Sequence, residues 1–150
     1  MTLEQALQTQ GFKSQKQKAM LNVMYTAYIV KSHVSSALKD YGLTPEQYNV
    51  LRILKGKYPD QMCVRDIAGR MIERSSNVPR IIDRLEIKKL VKRSTSALDK
   101  RETVITLTQP GLNMLEAVKG KLENVEHNNC SLSSEELVQL NDLLDRFRDE

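Results

Sequence analysis

The run Val64-Arg65-Asp66-Ile67-Ala68-Gly69-Arg70-Met71-Ile72-Glu73-Arg74-Ser75-Ser76-Asn77-Val78-Pro79-Arg80-Ile81-Ile82-Asp83-Arg84-Leu85 decides the fold. After Leu90-Val91 the chain runs out to Asp99-Lys100-Arg101 and returns as Thr103-Val104-Ile105-Thr106-Leu107. Ile67, Ala68 and Met71 share one helical face, which should therefore be buried. Val78, Ile81, Ile82 and Leu85 repeat the pattern on a second helix. Between them Ile72 to Ser76 must hold the turn and the start of that second helix. Ser75 and Ser76 are both suitable N-caps, since a hydroxyl can accept from the free amides of a first turn. A cap at Ser76 would put Pro79 at the third helical position, where its missing N–H costs no helical bond. Ala68 is small where the helices should approach. No Gly sits in the turn, although many such turns contain one.

Two helices joined by a tight turn, then a basic hairpin, predict a winged helix-turn-helix, a device that enters a DNA groove. The second helix offers Ser75, Ser76, Asn77, Arg80 and Arg84 opposite its apolar stripe, with Arg74 in the turn before it. Asn can pair bidentately with adenine and Arg with guanine, and Ser serves base edges or phosphates. For any single helix a solvated charged face is the plainer reading. The hairpin shifts the balance, because Lys92, Arg93, Lys100 and Arg101 lie on a ribbon with little bulk to stabilise. A basic wing suits a narrow minor groove. Asp99 is expected to hold the Arg101 guanidinium in a forked pair and so aim it.

At 150 residues the chain fits one domain, or a small domain with a dimerisation element. It has no apolar run of membrane-spanning length, and its start is polar and Gln-rich, without a secretory leader, so a cytoplasmic location is expected. Cys63 and Cys130, with no CxxC and only His33 and His127, give neither a disulfide framework nor a metal-site spacing. No cofactor is expected. The net charge of +4 hides a polarity: Arg65 to Arg101 holds 11 Lys/Arg against 5 Asp/Glu, and Leu112 to Glu150 holds 4 against 9. A basic middle with an acidic end suggests that one part meets a polyanion, for which nucleic acid is the simplest candidate.

Residues 14 to 39 form a long helix candidate, with Met20, Met24, Ala27, Val34 and Leu38 as its stripe and Tyr28 widening it. Gly42 suits its C-terminal end. Thr44, Pro45 and Gln47 begin the next helix with a capping box, and Leu43 and Tyr48 are spaced as a hydrophobic staple. Val50, Leu51 and Leu54 carry its core face. Gln61-Met62-Cys63 could add a third strand beside the wing. Thr108 should cap another helix, whose Leu115, Val118, Leu122 and Val125 form a coiled-coil-like seam. A second capping box, Ser133 with Glu136, opens a last helix bearing Leu137, Leu140, Leu143, Leu144 and Phe147. So much leucine outside a small winged core is most simply buried against a twin chain.

This order of elements resembles the MarR family of bacterial transcription regulators over nearly the whole chain. The resemblance is carried by Leu43 to Tyr48, Ile67-Ala68, Ser75 to Leu85, Leu90 to Arg93, and above all the wing Asp99-Lys100-Arg101 followed by Ile105 to Gly111. Pro79 stands where the family commonly has Thr or Ser. The resemblance implies a mainly α (α+β) chain. Residues 1–42 would be an N-terminal helix contributing to dimerisation, 43–108 the winged DNA-binding domain, and 109–150 the C-terminal dimerisation helices. It implies a homodimer on a pseudo-palindromic double-stranded operator, usually a repressor, with half-sites about 34–36 Å apart. The helix from Ser76 to Leu85 would enter the major groove and Arg101 the minor groove. On this reading Asn77 and Arg80 read bases, while Ser75, Ser76, Arg84 and Arg93 mainly position on phosphates. Many relatives release DNA when a small phenolic or other aromatic acid binds between the dimer helices and the core. Tyr25, Tyr28, His33, Tyr48 and Arg52 lie on the helices that line that pocket, though each also suits a core or dimer contact.

Enzymatic function lacks a nucleophile–base pair, a carboxylate pair in a cleft or a Gly-rich phosphate loop. The alternatives are a winged module that binds protein instead of DNA, and a regulator that senses oxidants through a thiol.

Overall fold

The computed structural model describes residues 1–149; Glu150, the last residue of the expected C-terminal segment, lies outside the described residues. The elements follow in the order α1 (Leu3–Leu7), α2 (Gln15–Lys39), α3 (Pro45–Lys57), β1 (Met62–Cys63), α4 (Val64–Arg70) and α5 (Val78–Ile87). Then come β2 (Val91–Thr95), β3 (Thr103–Leu107), α6 (Gln109–Asn128) and α7 (Ser134–Arg148). The chain is mostly helical with one small antiparallel sheet of order β1-β3-β2, the winged architecture expected from the sequence.

Local chemistry sets most of the helix starts. Thr44 accepts from the Gln47 amide at 3.1 Å while the Gln47 side chain accepts from the Thr44 amide at 3.3 Å, closing the capping box. Ser133 and Glu136 do the same for α7, and Ser14 and Thr108 cap α2 and α6. The short α1 was not foreseen, although Thr2 and Gln5 form a capping box there too. Glu4 on α1 meets Lys18 on α2 at 2.6 Å.

The core is one continuous cluster. Leu38 of α2, Val50, Leu51 and Leu54 of α3, Ile67 of α4, Ile82 and Leu85 of α5, Ile105 of β3 and Val118 of α6 are all essentially inaccessible. It therefore draws side chains from all three expected segments, and the flanking helices are not separately folded units. Two backbone features bring the wing and α6 onto it. Lys89 adopts φ +61°, a conformation that side chains disfavour, and so turns Leu90 back to donate to the Leu85 carbonyl at 3.0 Å. Gly111 then lies so close to this segment that a Cβ there would meet the Leu90 carbonyl oxygen at 2.2 Å.

The N-terminal part of the α2 stripe and the stripe of α7 are not buried within the chain. Met20, Met24 and Tyr28 on α2 are more than half exposed. Helix α7 buries no residue: Leu137, Leu140, Leu143 and Phe147 are all exposed. No helix among the described residues is long and apolar enough to cross a membrane.

Candidate nucleic-acid interface

Helix α4 is short because Met71 leaves it. Met71 takes an extended conformation as C-cap and drops its side chain into the core, where it is 2% exposed. The chain from Ile72 to Asn77 then crosses the surface. Its Ile72 amide donates to Asn49 Oδ1 of α3 at 3.0 Å. The Arg74 guanidinium donates to the Gly69 carbonyl at the end of α4 and so closes the turn.

The longer turn moves the start of α5. The cap is Asn77, whose Oδ1 accepts from the Arg80 amide at 3.3 Å, and Pro79 sits at the second helical position. The expected cap at Ser76 is thus corrected by one residue. Ser75 is exposed in the turn, while the Ser76 hydroxyl oxygen is buried without a partner among the described residues. A bidentate adenine pair uses both the oxygen and the nitrogen of Asn. With its oxygen holding the helix start, Asn77 keeps only its amide nitrogen for that purpose.

Helix α5 buries Val78, Ile82 and Leu85 as anticipated, leaving Arg80 and Arg84 exposed one turn apart. Its side toward the wing is acidic. Arg93 of β2 places Nη2 2.5 Å from Asp83 Oδ1, and its backbone amide donates to Glu86 Oε2 at 3.1 Å. Arg93 therefore clamps the wing to the reading helix.

The wing pairs Val91 with Leu107 through to Thr95 with Thr103. At its tip Ser96 Oγ accepts from the Leu98 and Asp99 amides, and Asp99 Oδ1 accepts from the Arg101 amide at 2.9 Å. Asp99 aims the backbone of Arg101 and not its guanidinium, which corrects the expected forked pair. Lys92, Lys100 and Arg101 are exposed and have no carboxylate partner among the described residues. Arg65 of α4 shares a recess beside the wing tip with Asp99, Arg101 and Glu102. The sequence reading missed Arg65, since only the strand pairing brings α4 beside the wing. It also missed Leu98, fully exposed at the wing tip.

The five effector candidates do not converge. Tyr48 and Arg52, with the guanidinium carbon 6.0 Å from the ring centroid, line a groove of about 620 Å³ between α3 and α6. Leu112, Leu115 and Lys119 also line it, whereas Tyr25, Tyr28 and His33 on α2 do not. Tyr28 points outward at 66% exposure, and His33 Nδ1 is buried without a partner among the described residues.

Cys63 is buried and Cys130 exposed. A hydrogen bond from the Asp66 amide favours the Cys63 thiolate. Desolvation and the carboxylates of Asp66 and Glu102 outweigh it and hold this thiol above its ordinary value. That is the reverse of the environment that makes a thiol reactive.

Residues 43–103 match the model of the MarR family. The HTH-type transcriptional regulator MhqR of Bacillus subtilis (strain 168) is 26% identical over 137 residues, covering 89% of this chain and 92% of that protein. The HTH-type transcriptional regulator MgrA of Staphylococcus aureus is 31% identical over 113 residues, 73% of either chain. The crystal structure of the S. aureus MepR–DNA complex superposes with a TM-score of 0.76 at 28% identity, covering 83% of this chain and 92% of that one.

Proposed function

The chain belongs to the MarR family of DNA-binding transcription regulators, and from that premise we propose that it is a homodimeric repressor of a pseudo-palindromic operator. The observation that carries this reading is the pairing of two surfaces on one chain. One is a reading face whose Arg80, Arg84, Lys92, Lys100 and Arg101 are exposed. The other is an exposed apolar surface, on α7 and on Met20, Met24 and Tyr28 of α2, for which the described residues supply no cover. A second copy would bury that surface and place two reading helices on one face, as a two-fold operator demands.

In this assembly Arg80 is the principal base reader, Arg101 enters the minor groove and Arg84, Lys92 and Lys100 neutralise phosphates. Asn77, Asp99, Arg93 and Arg74 hold these groups in place. Residues 43–108 form the reading unit, with 1–42 and 109–150 as the pairing helices. The Tyr48–Arg52 groove is the site at which a small aromatic acid would act, the ring stacking on Tyr48 and the carboxylate meeting Arg52.

Selection of bound sites from random duplexes tests the proposal. It predicts recovery of an inverted repeat, and an unsymmetrical motif or no enrichment would overturn it.

A further inference from the structure

We propose that Lys31 and Asn49 are specificity-determining positioning residues, which pin the helix-turn-helix turn to α2 and α3 and so set the separation of the two reading helices in a dimer. The inference rests on the homodimeric reading above and adds to it a definite mechanical part.

Besides the Arg74 guanidinium on the Gly69 carbonyl, which ties it to α4 alone, the turn has little else to hold it. From Ile72 to Asn77 no apolar side chain is buried: Ile72 is 85% exposed, and only Ser76 is half-buried, with its hydroxyl oxygen covered. Apolar packing fixes the chain at Met71 and again at Val78, with six residues between them. Two polar tethers reach into that gap at successive residues. Asn49 Oδ1 accepts from the Ile72 amide at 3.0 Å. Lys31 Nζ lies 2.5 Å from Glu73 Oε1 and, at the same time, 2.8 Å from Glu46 Oε1 in the first turn of α3. One ammonium thus joins α2, α3 and the turn. The hydrogen bonds to Glu46 and then Glu73 raise the pKa of Lys31, and that to Lys31 lowers the pKa of Glu46, so both stay charged at neutral pH.

These groups are too exposed to add much global stability. Pairs of this kind are commonly worth little, because water screens them and the side chains must be ordered. Their placement matters more. Lys31 sits on the helix whose stripe of Met20, Met24 and Tyr28 is left for a second copy to cover. Fixing the turn to this helix fixes the start of α5 to the frame of the dimer. The two reading helices must match one helical repeat of the duplex. A slack turn would leave each half-site contact intact while broadening the range of spacings the dimer accepts.

The experiment uses the full chain and the operator recovered by selection, beside the same operator with one base pair inserted at its centre. Affinities for both are measured at one salt concentration for the wild type, Lys31→Met, Lys31→Arg and Asn49→Ala. Loss of the Lys31 charge acts alike on both duplexes and cancels in the ratio of affinities. Lys31→Met and Asn49→Ala should each lower the ratio about threefold, in line with exposed polar tethers, and Lys31→Arg should restore it. A wild-type ratio retained by both Lys31→Met and Asn49→Ala would overturn the inference and leave the dimeric reading standing. A wild type indifferent to the inserted base pair would instead remove the dimeric reading, and this inference with it.

Discussion

Replacing Arg101 by Ala should change the salt dependence of operator binding by an amount the structure allows one to compute. Arg101 is exposed at the wing tip, has no carboxylate partner among the described residues, and has its backbone held by Asp99. A homodimer carries two copies. Each phosphate charge neutralised contributes about 0.9 to the slope of log affinity against log salt, through release of condensed counterions. Losing two such charges should flatten the slope by about 1.8. Over a fourfold rise in salt, from about 50 to about 200 mM, the penalty of the substitution should therefore shrink roughly tenfold. Fluorescence anisotropy on a labelled operator at four salt concentrations reads this directly. Arg93→Ala is the control: its guanidinium is already spent on Asp83, so its slope should change by well under half as much. Parallel slopes for Arg101→Ala and wild type would refute the reasoning, whatever the absolute loss, because a neutral contact loses affinity equally at every salt concentration.

Three other outcomes are expected. Gly111→Ala should destabilise the chain by about 1–3 kcal/mol, an overpacking cost, because a Cβ would lie 2.2 Å from a backbone oxygen and 2.9 Å from Leu107 Cδ1. Thermal unfolding should show a clearly lower Tm, and an unchanged or higher one would count against this approach of α6 to Leu90. Glu46→Gln tests the Lys31 pair by linkage. The hydrogen bond from Lys31 lowers the Glu46 pKa in the folded state, so its stabilisation is present above the ordinary carboxylate value of 4.5 and fades as pH falls through the lowered one. The stability gap between wild type and variant should thus be present at neutral pH and close in acid, and a constant gap would argue against the pair. Finally, iodoacetamide at neutral pH, followed by mass spectrometry, should label Cys130 well before Cys63, whose thiol is buried and held protonated. Equal labelling would reopen thiol sensing at Cys63.

Where the sequence spoke through local chemistry it was legible. The Thr44–Gln47 and Ser133–Glu136 boxes and the Thr108 cap place three helix starts to the residue, because a cap needs only residues within one turn of itself. The apolar stripe of α5 was equally plain. The start of α5 was not, since Ser75, Ser76 and Asn77 are all competent caps. The choice among them fell to Met71, which leaves α4 to fill the core and lengthens the turn. Helix α1 escaped notice because five residues show no period.

The interface was legible as a charge pattern but not as a division of labour. Every Arg on the reading face looks alike in sequence. Which are free depends on Asp83 meeting Arg93 ten residues away and on the carbonyl of Gly69 taking Arg74. The effector candidates scattered for a similar reason: residues on the two lining helices were foreseeable, whereas the faces they occupy are set by packing against α6. Lys31 gave no signal at all, since its two carboxylates lie 15 and 42 residues further along the chain.

The most direct measurement is sedimentation equilibrium of the purified chain with a selected operator duplex. A complex with the mass of two chains on one duplex, dissociating as salt is raised, is the predicted result. A single chain that sediments alone and leaves the duplex free at low ionic strength would contradict the account at its foundation.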